Sequence, residues 1–180
     1  FLKATVDGLQ HINRLLMEQH AGPDDLAAKL NAGYRIAHRL KGGSLPFSVE
    51  GFSVFVHGRG LSTAWAEATV RVRVGESLQH TAAESPFGPV SALDRAFRKA
   101  VLQFYPELSE VELTDYKVRI LSGQEAGTNS GVRVMVEMKR GEERFATVGA
   151  SENILEASLK ALTDGYAYAL LYPVATPRGA

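Results

Sequence analysis

The chain has 180 residues, 45% of them hydrophobic and 22% charged, which suits one globular domain or one domain with a smaller appendage. Twenty basic and twenty acidic residues leave zero formal charge, so no global field draws the chain to nucleic acid or to an anionic membrane. There is no cysteine, which removes disulfides, thiolate metal sites and cysteine nucleophiles together and fits a cytoplasmic protein, and no apolar run reaches the roughly 18 residues of a membrane span.

The first residues, Phe1-Leu2-Lys3-Ala4-Thr5-Val6-Asp7, show no initiator Met and no signal-peptide pattern, so a piece of a longer protein is expected. Residues 1–44 read as a helical linker subdomain. Val6, Leu9, Ile12, Leu15 and Leu16 recur at helical spacing until Gly22-Pro23. Leu26, Leu30, Ile36 and Leu40 continue the stripe until Gly42-Gly43, and the short break predicts an antiparallel hairpin. A second region, residues 45–180, changes to β character. Phe52 to His57 has high strand propensity, and Thr69 to Val74 alternates with Val70, Val72 and Val74 on one side. A third strand runs from about Leu78 to Glu84. After Ser85-Pro86-Phe87-Gly88-Pro89, a helix puts Val90, Leu93, Phe97, Ala100, Val101 and Phe104 on one face. Asp94, Arg95, Arg98, Lys99 and Gln103 fall on the other, and Pro106 ends it.

The same order then recurs. Tyr116, Val118 and Ile120 alternate with Lys117 and Arg119; Val132, Val134 and Val136 alternate with charged or larger neighbours. Phe145 to Gly149 supplies a third strand, and Asn153 opens a helix carrying Leu155, Leu159, Leu162, Tyr166 and Leu170. The pattern is a duplicated β-β-β-α unit with a period of roughly 60 to 65 residues. In sequence, Thr69 to Val74 matches Ser130 to Val136, and Ala92 to Ala96 matches Ala157 to Ala161. One unit is too small to bury both its sheet face and its helix, so the expected fold is α+β with pseudo-twofold symmetry. Edge strands left by each unit predict a homodimer.

These segments carry a resemblance. Glu67 to Val74, His80-Thr81-Ala82-Ala83-Glu84, Gly88 to Ala100, Leu113 to Leu121 and Thr147 to Ser158 resemble the C-terminal regulatory, allosteric dimer domain of the citramalate synthase and 2-isopropylmalate synthase family. The run Leu113-Thr114-Asp115-Tyr116-Lys117-Val118 points to the citramalate branch. The resemblance covers residues 48–171 and implies a regulatory fragment of an acyl-CoA-dependent transferase. That enzyme would condense acetyl-CoA with pyruvate on a divalent-metal TIM barrel of the same polypeptide, absent here. This part would bind isoleucine for feedback inhibition in isoleucine biosynthesis, as a homodimer. A leucine-binding domain of 2-isopropylmalate synthase and a ligand-free structural dimerisation module are the alternatives. No catalytic residue, metal ligand or cofactor of its own is expected; the histidines His11, His20, His38, His57 and His80 are scattered, with no His-x-His pair.

The chemistry of an amino-acid pocket fits several of these residues. Phe87-Gly88-Pro89-Val90-Ser91 opens a helix whose free N–H groups and positive dipole end suit a carboxylate; a plain turn with a helix start is the competing reading. The resemblance places Gly88, Pro89, Val90 and Ser91 in the effector site, and Leu113, Tyr116 and Ile120 in its apolar wall. Strict alternation would turn Leu113 away from Tyr116, so a bulge near Thr114 is expected. Asp115 could face the ammonium or be a solvated carboxylate. The resemblance also brings Glu152 and Ile154 near the effector across the dimer axis. Ser85, His80 and Glu84 lack a nucleophile motif, and the basic residues Arg71, Arg73, Arg95, Arg98 and Lys99 are interleaved with acidic ones, so hydrolase and nucleic-acid readings fall away.

Overall fold

The protein's structure, a computed structural model, describes residues 45–59, 63–120 and 131–172; the hairpin expected over residues 1–44 lies outside them. Strands β1 (Ser48–Arg59), β2 (Thr63–Val74) and β3 (Ser77–Ser85) form an antiparallel sheet in that order, and α1 (Pro89–Val101) follows. A short 3₁₀ turn (Pro106–Glu110) leads to β4 (Val111–Ile120), β5 (Val132–Arg140) and β6 (Glu143–Ser151), again antiparallel and in order, and then to α2 (Ile154–Leu171). The duplicated β-β-β-α, α+β architecture is present.

Alternation decides which face each sheet buries. Ala66, Ala68, Val70, Val72 and Val74 of β2 all point under α1, while Arg71 between them is exposed. α1 answers with Ala92, Leu93, Ala96, Phe97, Ala100 and Val101 at three- and four-residue spacing. Each fully buried Val, Leu or Phe contributes roughly 1.5–3 kcal/mol, so these two faces alone fix the pairing of helix and sheet. In the second unit the approach is closer. A Cβ added to Gly149 of β6 would lie 2.0 Å from the Ala157 carbonyl oxygen of α2.

The two units share details that hydrophobic patterning does not require. The Thr81 hydroxyl donates to the Ala96 carbonyl at 2.6 Å, and the Thr147 hydroxyl donates to the Ala161 carbonyl at 2.6 Å. β1 shifts register between Val49 and Gly51, and β4 between Leu113 and Asp115. Gly75 and Gly141 open matching two-residue hairpins at φ 56 and 58. These landmarks set Val70, flanked by Phe52 and Thr81, against Val136, flanked by Tyr116 and Thr147. The sequence match, which aligned the ends Val74 and Val136, is therefore shifted by two alternations along the strand. A Val-x-Val-x-Val run looks the same after every such slip.

The helices meet through Phe97 and Tyr166, stacked with centroids 5.4 Å apart. The Tyr166 hydroxyl donates to Asp94 Oδ1 at 2.6 Å and accepts from Arg98 Nη1 at 3.1 Å. Arg98 also donates to the Val111 carbonyl at 2.7 Å, which ties α1, α2 and the start of β4 together. Asp94 and Arg98 are thus half-buried, not on a solvated face. α1 is covered along its flank by α2 as well as beneath by its own sheet, which single-helix periodicity does not reveal.

The helix starts differ. Asn153 caps α2, its Oδ1 accepting from the Leu155 and Glu156 amides at 2.8 and 3.3 Å. Asn153→Ala is expected to lower stability by about 1 kcal/mol, read as a shift in the urea midpoint at constant slope. α1 has no side-chain cap.

Candidate functional site: a cavity between the first helix and the fourth strand

α1 enters from Gly88, whose φ of 100 and ψ of −177 belong to glycine's territory. Pro89 follows as the first helical residue and has no N–H to satisfy. The first intrahelical bond runs from the Ala92 amide to the Gly88 carbonyl at 3.1 Å, so the Val90 and Ser91 amides have no partner within the helix. An uncapped helix start of this kind favours an anion. The turn itself is held by Ser85, whose Oγ accepts from the Phe87 amide at 3.1 Å and donates to Ser91 Oγ at 2.9 Å.

β4 passes this helix start. The register shift at Thr114 turns Leu113 and Tyr116 to the same side although they are three residues apart, as their proposed common role demanded. The Tyr116 hydroxyl lies 2.7 Å from Ser158 Oγ. Ser158 spends its own proton on the Ile154 carbonyl at 2.6 Å, so Tyr116 is the donor, and its ring is pinned to α2.

Between these elements lies a cavity of about 350 Å³. Phe87, Pro89, Val90, Ser91 and Asp94 line it from α1 and its turn, Leu113 and Tyr116 from β4, and Leu162 from α2. Its walls are mainly apolar, with Ser91 of the uncapped helix start and Asp94 among the polar residues that line it. Burial holds the Asp94 carboxyl above its ordinary range, although the Tyr166 hydrogen bond and the Arg98 and Arg95 guanidinium groups pull the other way.

Five of the ten residues named from the sequence, Pro89, Val90, Ser91, Leu113 and Tyr116, come together in this wall. The other five do not line it. Gly88 sits just outside, at the helix N-cap. Asp115 points to the opposite sheet face from Tyr116, takes Lys117 Nζ at 2.6 Å and the Tyr116 amide at 2.8 Å, and is held below the usual carboxylate range by both. Ile120 lies further along β4 and is 71% exposed. Glu152 and Ile154 flank the exposed start of α2. Sequence reasoning missed Phe87, Asp94 and Leu162. Asp94 stands one helical turn after Ser91, and that spacing was the available signal.

The duplication repeats the cavity. A second one, of about 300 Å³, lies between Val49, Glu50, Gly51 and Phe52 of β1 and Glu156, Leu159, Lys160 and Thr163 of α2. The helix match sets Leu159 where the first cavity has Asp94, and Glu156 where it has Ser91. Its helix start is already occupied by the Asn153 cap, and Glu156 pairs with Lys160 at 2.7 Å.

Residues 35–170 match the family model of the LeuA allosteric (dimerisation) domain. The chain belongs to this family. It is 52% identical over 126 residues to an (R)-citramalate synthase of Geobacter sulfurreducens, covering 69% of this chain and 23% of that protein. It is 51% identical over 106 residues to an (R)-citramalate synthase of Aquifex aeolicus, covering 59% of this chain and 20% of that protein. Against a 2-isopropylmalate synthase of Methanocaldococcus jannaschii the identity is 29% over 98 residues, covering 54% of this chain and 17% of that protein. The matches therefore favour the citramalate branch of the LeuA allosteric family, and the chain spans about a fifth of the length of these relatives. Among the described residues of this LeuA-type domain no group of three His, Asp or Glu side chains is placed to hold a metal ion. No described helix is long and apolar enough to cross a membrane.

Proposed function

We propose that this chain is the effector-binding and dimerising region of a citramalate synthase, and that the cavity between α1 and β4 takes isoleucine as a feedback inhibitor. The observation that carries the reading is an uncapped helix start opening into a small apolar cavity. The effector carboxylate accepts from the free Val90 and Ser91 amides, where the helix dipole adds its favourable field. Its aliphatic side chain lies among Leu113, Tyr116 and Leu162. A cavity of about 350 Å³ suits a ligand of this size, at the small end of the roughly 300–1,000 Å³ of typical ligand sites.

The relatives at about half identity are named as citramalate synthases, which favours isoleucine over leucine. Acetyl-CoA, pyruvate and the divalent metal belong to a catalytic barrel outside this chain, and a second copy of this chain packs on it. Val118 and Ile120 on the edge strand β4, and Val56 on the equivalent edge strand β1, are apolar and exposed, which supports such a partner. Inhibition then follows from linkage: an effector that favours one arrangement of the dimer by about 1.4 kcal/mol shifts the equilibrium tenfold.

Calorimetric titration of the 180-residue chain with isoleucine, leucine and valine tests the reading. Isoleucine is expected to give saturable heat at one site per chain and to raise the melting temperature, with leucine weaker by roughly 10-fold or more, since moving one methyl in an apolar pocket is worth about 1–3 kcal/mol. Tighter leucine binding would transfer the chain to the isopropylmalate reading. No binding of any of the three would leave a structural dimerisation module.

A further inference from the structure

We propose that residues 26–41 of this chain dock in the second cavity, the one between β1 and α2, and tie the stretch that leads into the domain to its second helix. The floor of that cavity is apolar. The register shift between Val49 and Gly51 turns Val49 and Phe52 to one side although they are three residues apart, and Leu159 of α2 lines it with them. The charged residues in its wall, Glu50, Glu156 and Lys160, are not buried. Asn153 already accepts from the free amides of α2, and Lys160 is paired with Glu156 at 2.7 Å. The cavity therefore holds no open anion site; what its floor accepts is an apolar side chain.

Where the chain enters the domain selects the occupant. Pro46 and Phe47 are anchored: the Tyr105 hydroxyl donates to the Pro46 carbonyl at 2.8 Å, and Phe47, 5% exposed, meets the Phe97 ring edge-on with centroids 5.1 Å apart. Val49, in the cavity wall, follows at once. Leu40 precedes Pro46 by six residues, so at roughly 3.3–3.6 Å per residue it lies within about 20 Å of the anchor. Leu26, Leu30, Ile36 and Leu40 form an apolar stripe there. Lys29, Arg35, Arg39 and Lys41 accompany it, with no Asp or Glu between Leu26 and Val49. This positive stretch suits a cavity bounded by Glu50 and Glu156. Glu50 already carries Arg73 and Glu156 carries Lys160, so the apolar contact holds the segment and the charges orient it. The family match opens at residue 35, which puts Ile36 and Leu40 in the same domain as β1.

α2 supplies Leu162 to the first cavity and Leu159 and Thr163 to the second. A segment docked in the second cavity thus leans on the helix that also walls the first.

The chain has no cysteine, so cysteine pairs introduced into all 180 residues can be joined by a short bis-maleimide. Ala37→Cys with Thr163→Cys is expected to link within one chain roughly tenfold faster or more than Ala37→Cys with Glu84→Cys, whose second position lies on the far edge strand β3. Adding Ile36→Asp and Leu40→Asp to the first pair is expected to remove that advantage, because it would bury charge on the apolar floor. Equal rates for the two pairs overturn the proposal, and so does a first pair that keeps its advantage with both aspartates present. Links formed only between chains overturn it too, and give the cavity to a second copy. Should the Thr163→Cys chain show no cooperative melt, Lys160→Cys in the same wall replaces it. No amino acid enters the experiment, so the effector reading stands or falls separately.

Discussion

Gly149→Ala is expected to destabilise the chain by about 3 kcal/mol or more, enough to leave a large unfolded fraction in a domain of ordinary stability. The added methyl carbon would stand 2.0 Å from the Ala157 carbonyl oxygen and 2.8 Å from the Ala161 nitrogen. Both are backbone atoms of α2, so no rotamer change relieves the overlap. The helix must lift from β6, and in lifting it strains the Thr147 to Ala161 hydrogen bond and uncovers Phe145 and Leu162. Gly165→Ala is the informative contrast. There the new atom would meet the sulfur and terminal methyl of Met138 at 2.5 and 2.9 Å, the far end of a flexible side chain. Alanine also recovers about 1 kcal/mol of helix propensity over glycine, so the net change is expected to be within roughly 1 kcal/mol of zero. Urea denaturation of the two variants checks this, and a milder Gly149 variant would mean that α2 sits further from the sheet than described.

Arg140→Met is expected to cost about 2–3 kcal/mol and to fray the end of α2. Arg140 is 7% exposed, and its guanidinium donates to the Ala169 carbonyl at 2.5 Å and to the Tyr172 carbonyl at 2.6 Å, closing the C-terminal end of the helix from the neighbouring strand. Its Nε finds no hydrogen-bond partner, so the side chain is held by its two terminal nitrogens, with Glu143 3.6 Å away as counter-charge. Methionine keeps much of the buried stem and loses both donors, which strands the carbonyls. Hydrogen exchange should therefore accelerate over Tyr168 to Tyr172 before the rest of α2. Uniform acceleration along the helix would show that Arg140 acts through packing instead.

Much of this architecture was legible in the sequence because its signals are local. The alternation of Val70, Val72 and Val74 identified a half-buried strand, and Pro89 and Pro106 bracketed the first helix region. The irregularity at Thr114 was also readable: Leu113 and Tyr116 can share a wall only if alternation breaks between them, and the register does shift there. The same alternation shows that Asp115 and Tyr116, as neighbours, face opposite sides of the sheet. Other features depended on distant contacts. Asp94 reads as a solvated residue of an amphipathic helix until Tyr166, 72 residues later, packs against it. Leu162 reads as core of its own unit until the helix start of the first unit, from Phe87 to Asp94, supplies the facing wall of the cavity. The internal register was hidden because valine repeats are periodic, and only the threonine pins and strand irregularities fixed it.

The unlike openings of the two helices bear on how such a domain can change over evolutionary time. Two separate half-length chains assembled about a true twofold axis must present identical hollows, because every substitution appears in both. Fusing the halves into one polypeptide breaks that obligation. One hollow can take an asparagine cap at its helix start and a leucine in its wall, while the other keeps an uncapped helix start and a half-buried acid.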